Sequence, residues 1–185
     1  AVGVVALLAP GLVVWNKFVT VPENAVKVEV MAYQWGWNYR LAGEDGILGK
    51  TSIQNISDDN PYGLDLNDPN GKDDLLVEDA DLHLQIDKPV KVLLRSIDVL
   101  HNFYVPEFRA KMDMVPGMIT FYWFTPTKTG EYEILCAELC GTGHYAMLGT
   151  VMVEEEGDYS NWLAQQASFE QILAQNKTIQ LAEKQ

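Results

Sequence analysis

Four side chains of the kind that bind soft metal ions lie in one short stretch of the chain: Cys136, Cys140, His144 and Met147. Thiolate, thioether and imidazole ligands together favour copper over Mg²⁺, Ca²⁺ or Mn²⁺, and a weak axial methionine is typical of copper electron-transfer sites. A blue copper site takes one thiolate, whereas two thiolates flanked by two imidazoles can bridge two copper ions. Because such a centre must keep nearly the same geometry in both redox states, its loop has to be carried by rigid elements.

Two cysteines could also build three other kinds of site, and each fits these residues less well. A disulfide between Cys136 and Cys140 would close a small strained loop and would leave His144 and Met147 without a role. Zinc accepts cysteine and histidine but has little use for methionine. A thioredoxin-like redox pair requires two intervening residues beside a βαβ pattern, and the chain shows neither. The residues therefore favour copper.

Short stretches of alternating apolar and polar residues surround this loop. In the first of them, Val26–Val30, the three valines lie on one face and Lys27 and Glu29 on the other, so the valines are predicted to face a core. Four further stretches have the same character: Val90–Leu94, Ile119–Trp123, Glu131–Leu135 and Gly149–Val153. Strands of this length separated by turn residues predict an all-β sandwich. The copper loop would then connect the last two strands.

Three more segments extend the pattern and identify a family resemblance. Cys136–Met147 is very similar to the binuclear copper A loop of subunit II of haem–copper cytochrome c oxidases. Asp98–Pro106 resembles the family segment that carries the first histidine ligand, and Lys111–Gly117 follows it at the family's spacing. Tyr33–Tyr39 resembles the aromatic signature between the membrane anchor and the copper domain. The likeness covers about residues 10 to 165 and implies a cupredoxin-like Greek-key β-sandwich or barrel.

The resemblance also implies which residues form the site. Trp35 matches the family tryptophan that receives the electron from cytochrome c. Glu138 has two implied roles, because its backbone carbonyl would bind copper and its carboxylate would reach a Mg²⁺ ion shared with subunit I. The implied metal ligands are His101, Cys136, Glu138, Cys140, His144 and Met147.

The implied function is that of the electron-accepting subunit of a respiratory cytochrome c oxidase. Cytochrome c would give electrons to the binuclear copper centre, and a haem in subunit I would receive them and reduce oxygen to water with proton pumping. A quinol oxidase subunit would lack both cysteines, and three histidines in all cannot build the histidine-rich cluster of nitrous oxide reductase. Two alternatives stay open: a copper A subunit of a nitric oxide reductase and, from a different class, a copper-carrying chaperone module.

Composition limits the partners of the chain. The 185 residues carry a net charge of −13, which argues against nucleic acid as the partner. The charge either favours a basic protein partner or serves only to keep the domain soluble, and both alternatives stay open. The only two cysteines both lie in the metal loop, so none is left for a structural disulfide. The chain has no C-x-x-C-H sequence and therefore no site for covalently attached haem.

The first residues have the character of a membrane anchor. Ala1–Trp15 is apolar and uncharged, which is shorter than the ~20 residues of a spanning helix, and no basic segment precedes it as in a secretory signal. We expect residues 1–20 to be the outer end of a transmembrane helix that begins outside this chain. Departures from the commoner family pattern at Gly36 and Met118 indicate a bacterial relative. The copper domain would then lie on the periplasmic face of a bacterial inner membrane.

The remaining boundaries follow from composition. We assign residues 21–157 to the copper domain, interrupted at 43–81 by a long acidic insertion whose only basic residues are Lys50 and Lys72. A connection of this length is either functional or a solvated excursion. Residues 158–185 have the spacing of a polar helix, capped by Asp158 or Ser160, whose narrow apolar stripe is expected to pack on protein.

Overall fold

The computed structural model describes residues 1–57, 60–77 and 81–182, with side chains described through residue 176. Its centre is a sandwich of two five-stranded sheets. The first sheet contains, in spatial order, β3 (Leu75–Val77), β2 (Gly36–Leu41), β1 (Val26–Tyr33), β5 (Val90–Ser96) and β8 (Thr120–Phe124). Within it, β1 and β5 run parallel and the other pairs antiparallel.

The second sheet carries the strands that border the metal-binding loop. In spatial order it contains β4 (Asp81–Gln85), β10 (Leu148–Glu154), β9 (Gly130–Cys136), β6 (His101–Val105) and β7 (Ala110–Met114). Here β10 pairs with β4 in parallel, and the remaining pairs are antiparallel. Four of the five alternating stretches noted above lie wholly on strands of the two sheets, and the fifth, Ile119–Trp123, begins one residue before β8.

The main core fills the space between the sheets. Side chains from alternate positions of both sheets meet there, as expected for a two-layer β fold. Trp37 and Phe103 cross it in an edge-to-face pair with ring centroids 5.4 Å apart. The fully buried members from the strands include Val28, Val30, Tyr39, Leu41, Val92, Leu94, Val105, Met114, Tyr122, Ile134 and Val151.

The outer face of the first sheet is covered as well, which the alternation in β1 did not predict. Glu29 belongs to the face expected to meet solvent, yet it is 2% exposed, and its neighbour on that face, Met31, is 1% exposed. The covering layer comes from the insertion, where Tyr62 and Leu64 are fully buried. The interpretation of this segment as a solvated excursion is therefore wrong for the described residues around them.

A buried ion-pair network fastens the insertion to the sheet. The Arg40 guanidinium lies 2.5 Å from the Glu29 carboxylate and 2.6 Å from the Asp74 carboxylate, and all three residues are at most 3% exposed. Arg95 adds a second partner for Glu29 at 3.0 Å. The Gly49 amide donates to Asp74 at 2.9 Å, so the network holds the insertion at two points.

Removal of the central cation should destabilise the domain strongly. Arg40→Met would leave Glu29 and Asp74 buried without their shared partner, and breaking a buried pair in this way costs about 3–5 kcal/mol. Chemical denaturation should show this loss in the free energy of unfolding. Lys27→Met, at an exposed cation on the neighbouring strand β1, is the control and should change stability by less than about 0.5 kcal/mol. Equal stabilities for the two variants would contradict the role given to the network.

The C-terminal segment forms two helices where the sequence predicted one. Helix α2 spans Glu156–Leu163 and helix α3 spans Phe169–Ala182. Ser160 lies inside α2 and is not its cap. The second helix starts at a capping box, in which Ser168 and Gln171 exchange backbone-to-side-chain hydrogen bonds of 3.0 and 3.3 Å.

Helix α3 completes the layer over the first sheet. The Phe169 backbone amide donates to the Asp74 carbonyl at 2.8 Å, and its ring is 2% exposed. Ile172 and Leu173 pack against the same small cluster, which contains Met31, Tyr62, Leu64 and Leu76. The expectation that the apolar stripe packs on protein is confirmed for these residues.

Helix α2 is attached to the second sheet through His83. Its imidazole is only 16% exposed. It lies 2.8 Å from the Glu154 carboxylate and stacks on Trp162 with ring centroids 4.3 Å apart. The third histidine of the chain therefore has a structural role in holding α2.

The N-terminal helix α1 spans Val2–Val19 and continues through Pro10. Its 18 residues have a mean hydropathy of 1.8 and include no buried side chain. By length and composition this helix can cross a membrane. The helix bounds match the expected anchor segment 1–20.

Candidate metal centre

The strand order brings the predicted metal ligands together at one end of the sandwich. Cys136 is the last residue of β9, His101 is the first residue of β6, and Met147 directly precedes β10. These three strands are neighbours in the second sheet. The loop from 137 to 146 therefore spans the end of the sandwich beside the start of β6.

The ligand atoms lie close to one another. The Cys136 and Cys140 sulfurs are 3.7 Å apart, and the Cys136 sulfur is 3.9 Å from Nδ1 of His101. On the other side, the Cys140 sulfur is 3.5 Å from Nδ1 of His144 and 3.8 Å from the Met147 sulfur. All five predicted side-chain ligands thus belong to one cluster.

These separations fit a shared metal centre. A disulfide bond is ~2.05 Å long, so the two cysteines are free thiols. Each separation in the cluster is shorter than twice a metal–sulfur bond of ~2.3 Å, so adjacent ligand atoms can contact the same ion. The carbonyl oxygen of Glu138 is 3.2 Å from the Cys136 sulfur and can join the set. Glu138 itself is exposed to solvent.

The cluster is largely shielded from water. His101 is fully buried, Met147 is 1% exposed, Cys140 2% and Cys136 8%. His144 is half-buried and lies nearer the surface. A soft, dry set of two thiols, two imidazoles and one thioether suits copper better than a hard cation.

The two thiols differ in acidity. Burial raises the pKa of Cys136, but hydrogen bonds with His101 and with backbone groups outweigh burial and lower it to about 6. Burial and then the neighbouring Cys136 sulfur raise the pKa of Cys140 to about 11. Burial lowers the pKa of His101, yet its hydrogen bonds with Cys136 and Asp98 raise it overall. At a pH between these two values, we expect the metal-free site to hold one thiolate, on Cys136.

This asymmetry can be measured in metal-free, reduced protein. Near pH 8, which lies above the lowered pKa and below the raised one, ultraviolet thiolate absorbance should report one thiolate per chain. Cys136→Ser should remove that absorbance, and Cys140→Ser should retain it. Two unperturbed thiols would instead ionise together in a single transition centred near their common pKa of ~8.5, with the amplitude of two thiolates.

Asp98 holds His101 in position, although the sequence did not indicate this role. One oxygen of its carboxylate is 2.9 Å from Nε2 of His101, which leaves Nδ1 facing Cys136. The carboxylate also accepts hydrogen bonds from the amides of Gln34 and Val99, each at 2.7 Å. Partners of this kind fix the orientation of a ligating imidazole.

Trp35 connects the protein surface with the loop. Its side chain is 41% exposed, and its indole N–H donates to the carbonyl of Cys140 at 3.2 Å. The predicted entrance residue therefore touches the backbone of a predicted ligand.

Glycines in the loop make this contact possible. Gly141 has φ 119°, a conformation that other residues avoid. Gly143 has φ −87°, which any residue can adopt, so the backbone conformation does not require glycine at this position. A side-chain carbon at Gly143 would collide with the indole ring of Trp35. Backbone conformation therefore accounts for glycine at 141, and contact with the indole accounts for glycine at 143.

Comparisons of the sequence with known proteins all point to one protein family. A sequence profile described as the periplasmic domain of cytochrome c oxidase subunit II matches residues 26–155. An alternative cytochrome c oxidase subunit 2 from Bradyrhizobium diazoefficiens is 59% identical over 96% of this chain and 64% of its own length. A cytochrome c oxidase subunit 2 from Cereibacter sphaeroides is 33% identical over 78% of this chain and 50% of its own. The chain thus spans less than two thirds of these relatives.

A solved structure shows the same architecture. The periplasmic domain of subunit II of cytochrome oxidase from Bradyrhizobium japonicum superimposes with a TM-score of 0.57 at 24% identity, over 78% of this chain and 95% of that one. This likeness confirms the predicted cupredoxin-like β-sandwich. Because the family profile covers most of the chain and both sheets, the chain belongs to the cytochrome c oxidase subunit II family.

Proposed function

We propose that this chain is the electron-accepting subunit of a respiratory cytochrome c oxidase. It would receive electrons from cytochrome c and deliver them to a haem in subunit I, where oxygen is reduced to water and protons are pumped. The observation that carries this proposal is the contact between an exposed indole and the backbone of a buried thiol ligand, Trp35 to Cys140. That contact joins the protein surface to the metal-binding cluster.

Family membership implies copper, and the cluster fits two copper ions. Bound copper would supply reversible one-electron exchange at the site. The two thiols lie between the two imidazoles, so each sulfur has a histidine on its outer side. The residues that would hold the ions are His101, Cys136, Glu138 through its carbonyl, Cys140, His144 and Met147.

The protein contributes rigidity and exclusion of water. Strands β6, β9 and β10 fix the first histidine and both ends of the loop, so ligand positions change little with charge. Buried ligands are surrounded by protein atoms that do not reorient, whereas water would. Both properties lower the reorganisation energy that accompanies a change of redox state.

The outer surface of the loop is suited to contact with another protein. Leu139 is 76% exposed and Tyr145 is 85% exposed, although both are large apolar or aromatic residues. They lie in the same loop as the exposed Glu138. We assign this surface to subunit I, with the Glu138 carboxylate as a ligand of a Mg²⁺ ion shared between the two chains.

Helix α1 would anchor the chain in the membrane. It is apolar from Val2 to Trp15, exposed throughout, and ends at Val19, seven residues before the first strand. Lys17 lies in its last turn, where a basic side chain can reach the membrane surface. We place the copper domain on the periplasmic face of a bacterial inner membrane.

The reaction with the donor should depend on salt. Opposite charges raise association rates by about 10- to 1000-fold, and a net charge of −13 favours a basic cytochrome c. Its rate of oxidation by the copper-loaded protein should fall as ionic strength rises from ~0.01 to ~0.15 M, where the Debye length shrinks from ~30 to ~8 Å. Stopped-flow mixing measures this rate.

An uncharged small-molecule reductant is the control, since its rate should not change with salt. A cytochrome c rate that is equally insensitive to salt would contradict docking through acidic residues. Asp74 cannot take part in such docking, because it is fully buried and paired with Arg40. Purification from membranes tests the wider proposal: the copper-loaded chain should be recovered with a chain that binds two haems.

A further inference from the structure

Gln34 is bonded at both ends to segments that carry metal ligands. Its backbone amide donates to the Asp98 carboxylate at 2.7 Å. Its side-chain amide donates to the carbonyl of Cys140 at 2.8 Å. A residue in the turn between β1 and β2 therefore bridges two segments that are distant in sequence.

The side-chain hydrogen bond of Gln34 and that of Trp35 converge on a single oxygen. A backbone carbonyl has two lone pairs and can accept two hydrogen bonds. Here Nε2 of Gln34 and Nε1 of Trp35 both donate to the Cys140 carbonyl, at 2.8 and 3.2 Å. Because the Cys140 side chain supplies a thiol ligand, a fixed backbone at this residue also fixes the position of its sulfur.

The backbone hydrogen bond of Gln34 extends the connection to the segment that carries His101. Asp98 accepts from the Gln34 amide with one oxygen and lies 2.9 Å from Nε2 of His101 with the other. A continuous chain of hydrogen bonds therefore runs from Cys140 through Gln34 and Asp98 to His101. This chain joins the metal-binding loop to the first histidine without passing through the metal site.

The loop is shaped to receive the amide. Gly141 follows Cys140, and a side-chain carbon there would lie 2.9 Å from Nε2 of Gln34 and 3.1 Å from the Trp35 ring. Any larger residue would push both donors away from the carbonyl. The amide itself is uncharged, so it contributes nothing to the electrostatic attraction of a charged donor.

We propose that Gln34 is a positioning residue, which holds the metal-binding loop against Trp35 and His101 and thereby sets the rate of electron transfer within the docked complex. Its action runs through the Cys140 carbonyl and does not involve binding of the donor. The kinetic part of this inference rests on the proposed function. The structural part concerns the chain alone and can be tested without metal.

Gln34→Met tests the inference, because it keeps the length and neutrality of the side chain and removes the donor. In metal-free protein, amide hydrogen exchange over residues 141–145 should become about fivefold faster, the equivalent of one lost hydrogen bond. In copper-loaded protein, the rate at saturating cytochrome c should fall several-fold, the reduction potential should shift, and KM should stay unchanged. Gln165→Met, an exposed glutamine that also donates to a backbone carbonyl, is the matched control and should change none of these.

Gln34→Glu provides the second variant. It keeps the shape of glutamine but offers a carboxylate to the carbonyl, so its loop exchange should resemble that of Gln34→Met. Wild-type exchange in both variants would overturn the inference, and so would a raised KM with unchanged exchange and potential, which would make Gln34 a docking residue. Exchange in metal-free protein needs no donor, so it decides the matter even if cytochrome c proves to be the wrong partner.

Discussion

Replacing either cysteine by serine should abolish the spectrum of a copper pair that shares one unpaired electron. In the parent protein, metal analysis should give two copper ions per chain, and electron paramagnetic resonance should show hyperfine coupling to two equivalent copper nuclei. A serine hydroxyl is harder and far less acidic than a thiol, so it would not hold a pair of copper ions as the thiolate of Cys136 or Cys140 would. We expect Cys136→Ser and Cys140→Ser to lose the paired signal completely.

Met147→Leu is the control for this experiment. The thioether is 1% exposed and lies 3.8 Å from the Cys140 sulfur, so leucine fills nearly the same space without a ligand atom. An axial thioether tunes a copper site more than it holds the ion. The variant should therefore retain both ions and change its reduction potential. One copper with single-nucleus coupling in the parent protein would contradict the binuclear assignment.

Replacing Trp35 by alanine should make electron transfer from cytochrome c collapse. The indole is the exposed group that touches the Cys140 backbone, and alanine would leave a gap between the docked donor and the loop. Binding of cytochrome c and its dependence on salt should survive, because no charge is removed. Stopped-flow rates at saturating donor, together with binding measured at several ionic strengths, separate the two effects.

Trp35→Phe divides the contribution of the ring from that of the hydrogen bond. Phenylalanine keeps an aromatic surface over Gly143 but has no N–H to donate to Cys140. We expect an intermediate rate, with the copper spectrum close to that of the parent protein. A normal rate in Trp35→Ala would mean that electrons arrive by another route, and Trp35 would then be a packing residue.

The metal-binding cluster was open to prediction because most of its ligands are local in sequence. Cys136, Cys140, His144 and Met147 lie in one loop, and their chemistry alone favours copper. His101 lies 35 residues before Cys136, so only the family resemblance could select it from the three histidines. Their roles as ligands stay predictions, although the fold gathers all five side chains.

The residues around the cluster were not predictable in the same way. Gln34 and Asp98 are 64 positions apart and both are polar, so no periodicity marks them as neighbours. Their positions depend on the pairing of β1 with β5 and on the loop before β6. Asp98 precedes His101 by three residues, and that spacing was the one local signal of an orienting carboxylate.

The outer layer of the fold shows a general limit of alternation. Alternation with a period of two residues shows which residues share a face of a strand, but it does not show whether another segment covers that face. Glu29 and Arg40 have the composition of a solvent-facing side and are buried because the insertion packs on them. The alternation of Ile119–Trp123 likewise separates two faces without showing which one meets the core: Tyr122 is buried, whereas Phe121 and Ile119, which directly precedes β8, are exposed.

Trp35 and the loop glycines that it contacts lie in separate segments of the chain, and this separation has a consequence for protein engineering. Copper loops can be considered for transfer into other β-sandwich hosts, and the contiguous segment 136–147 would be the obvious graft. That segment alone would carry the ligands without the aromatic turn that rests on Gly143. A chimera should therefore bind copper and show its visible absorbance, yet it should exchange electrons slowly with protein donors. Transfer of the turn around residues 33–36 into the same host should restore the rate.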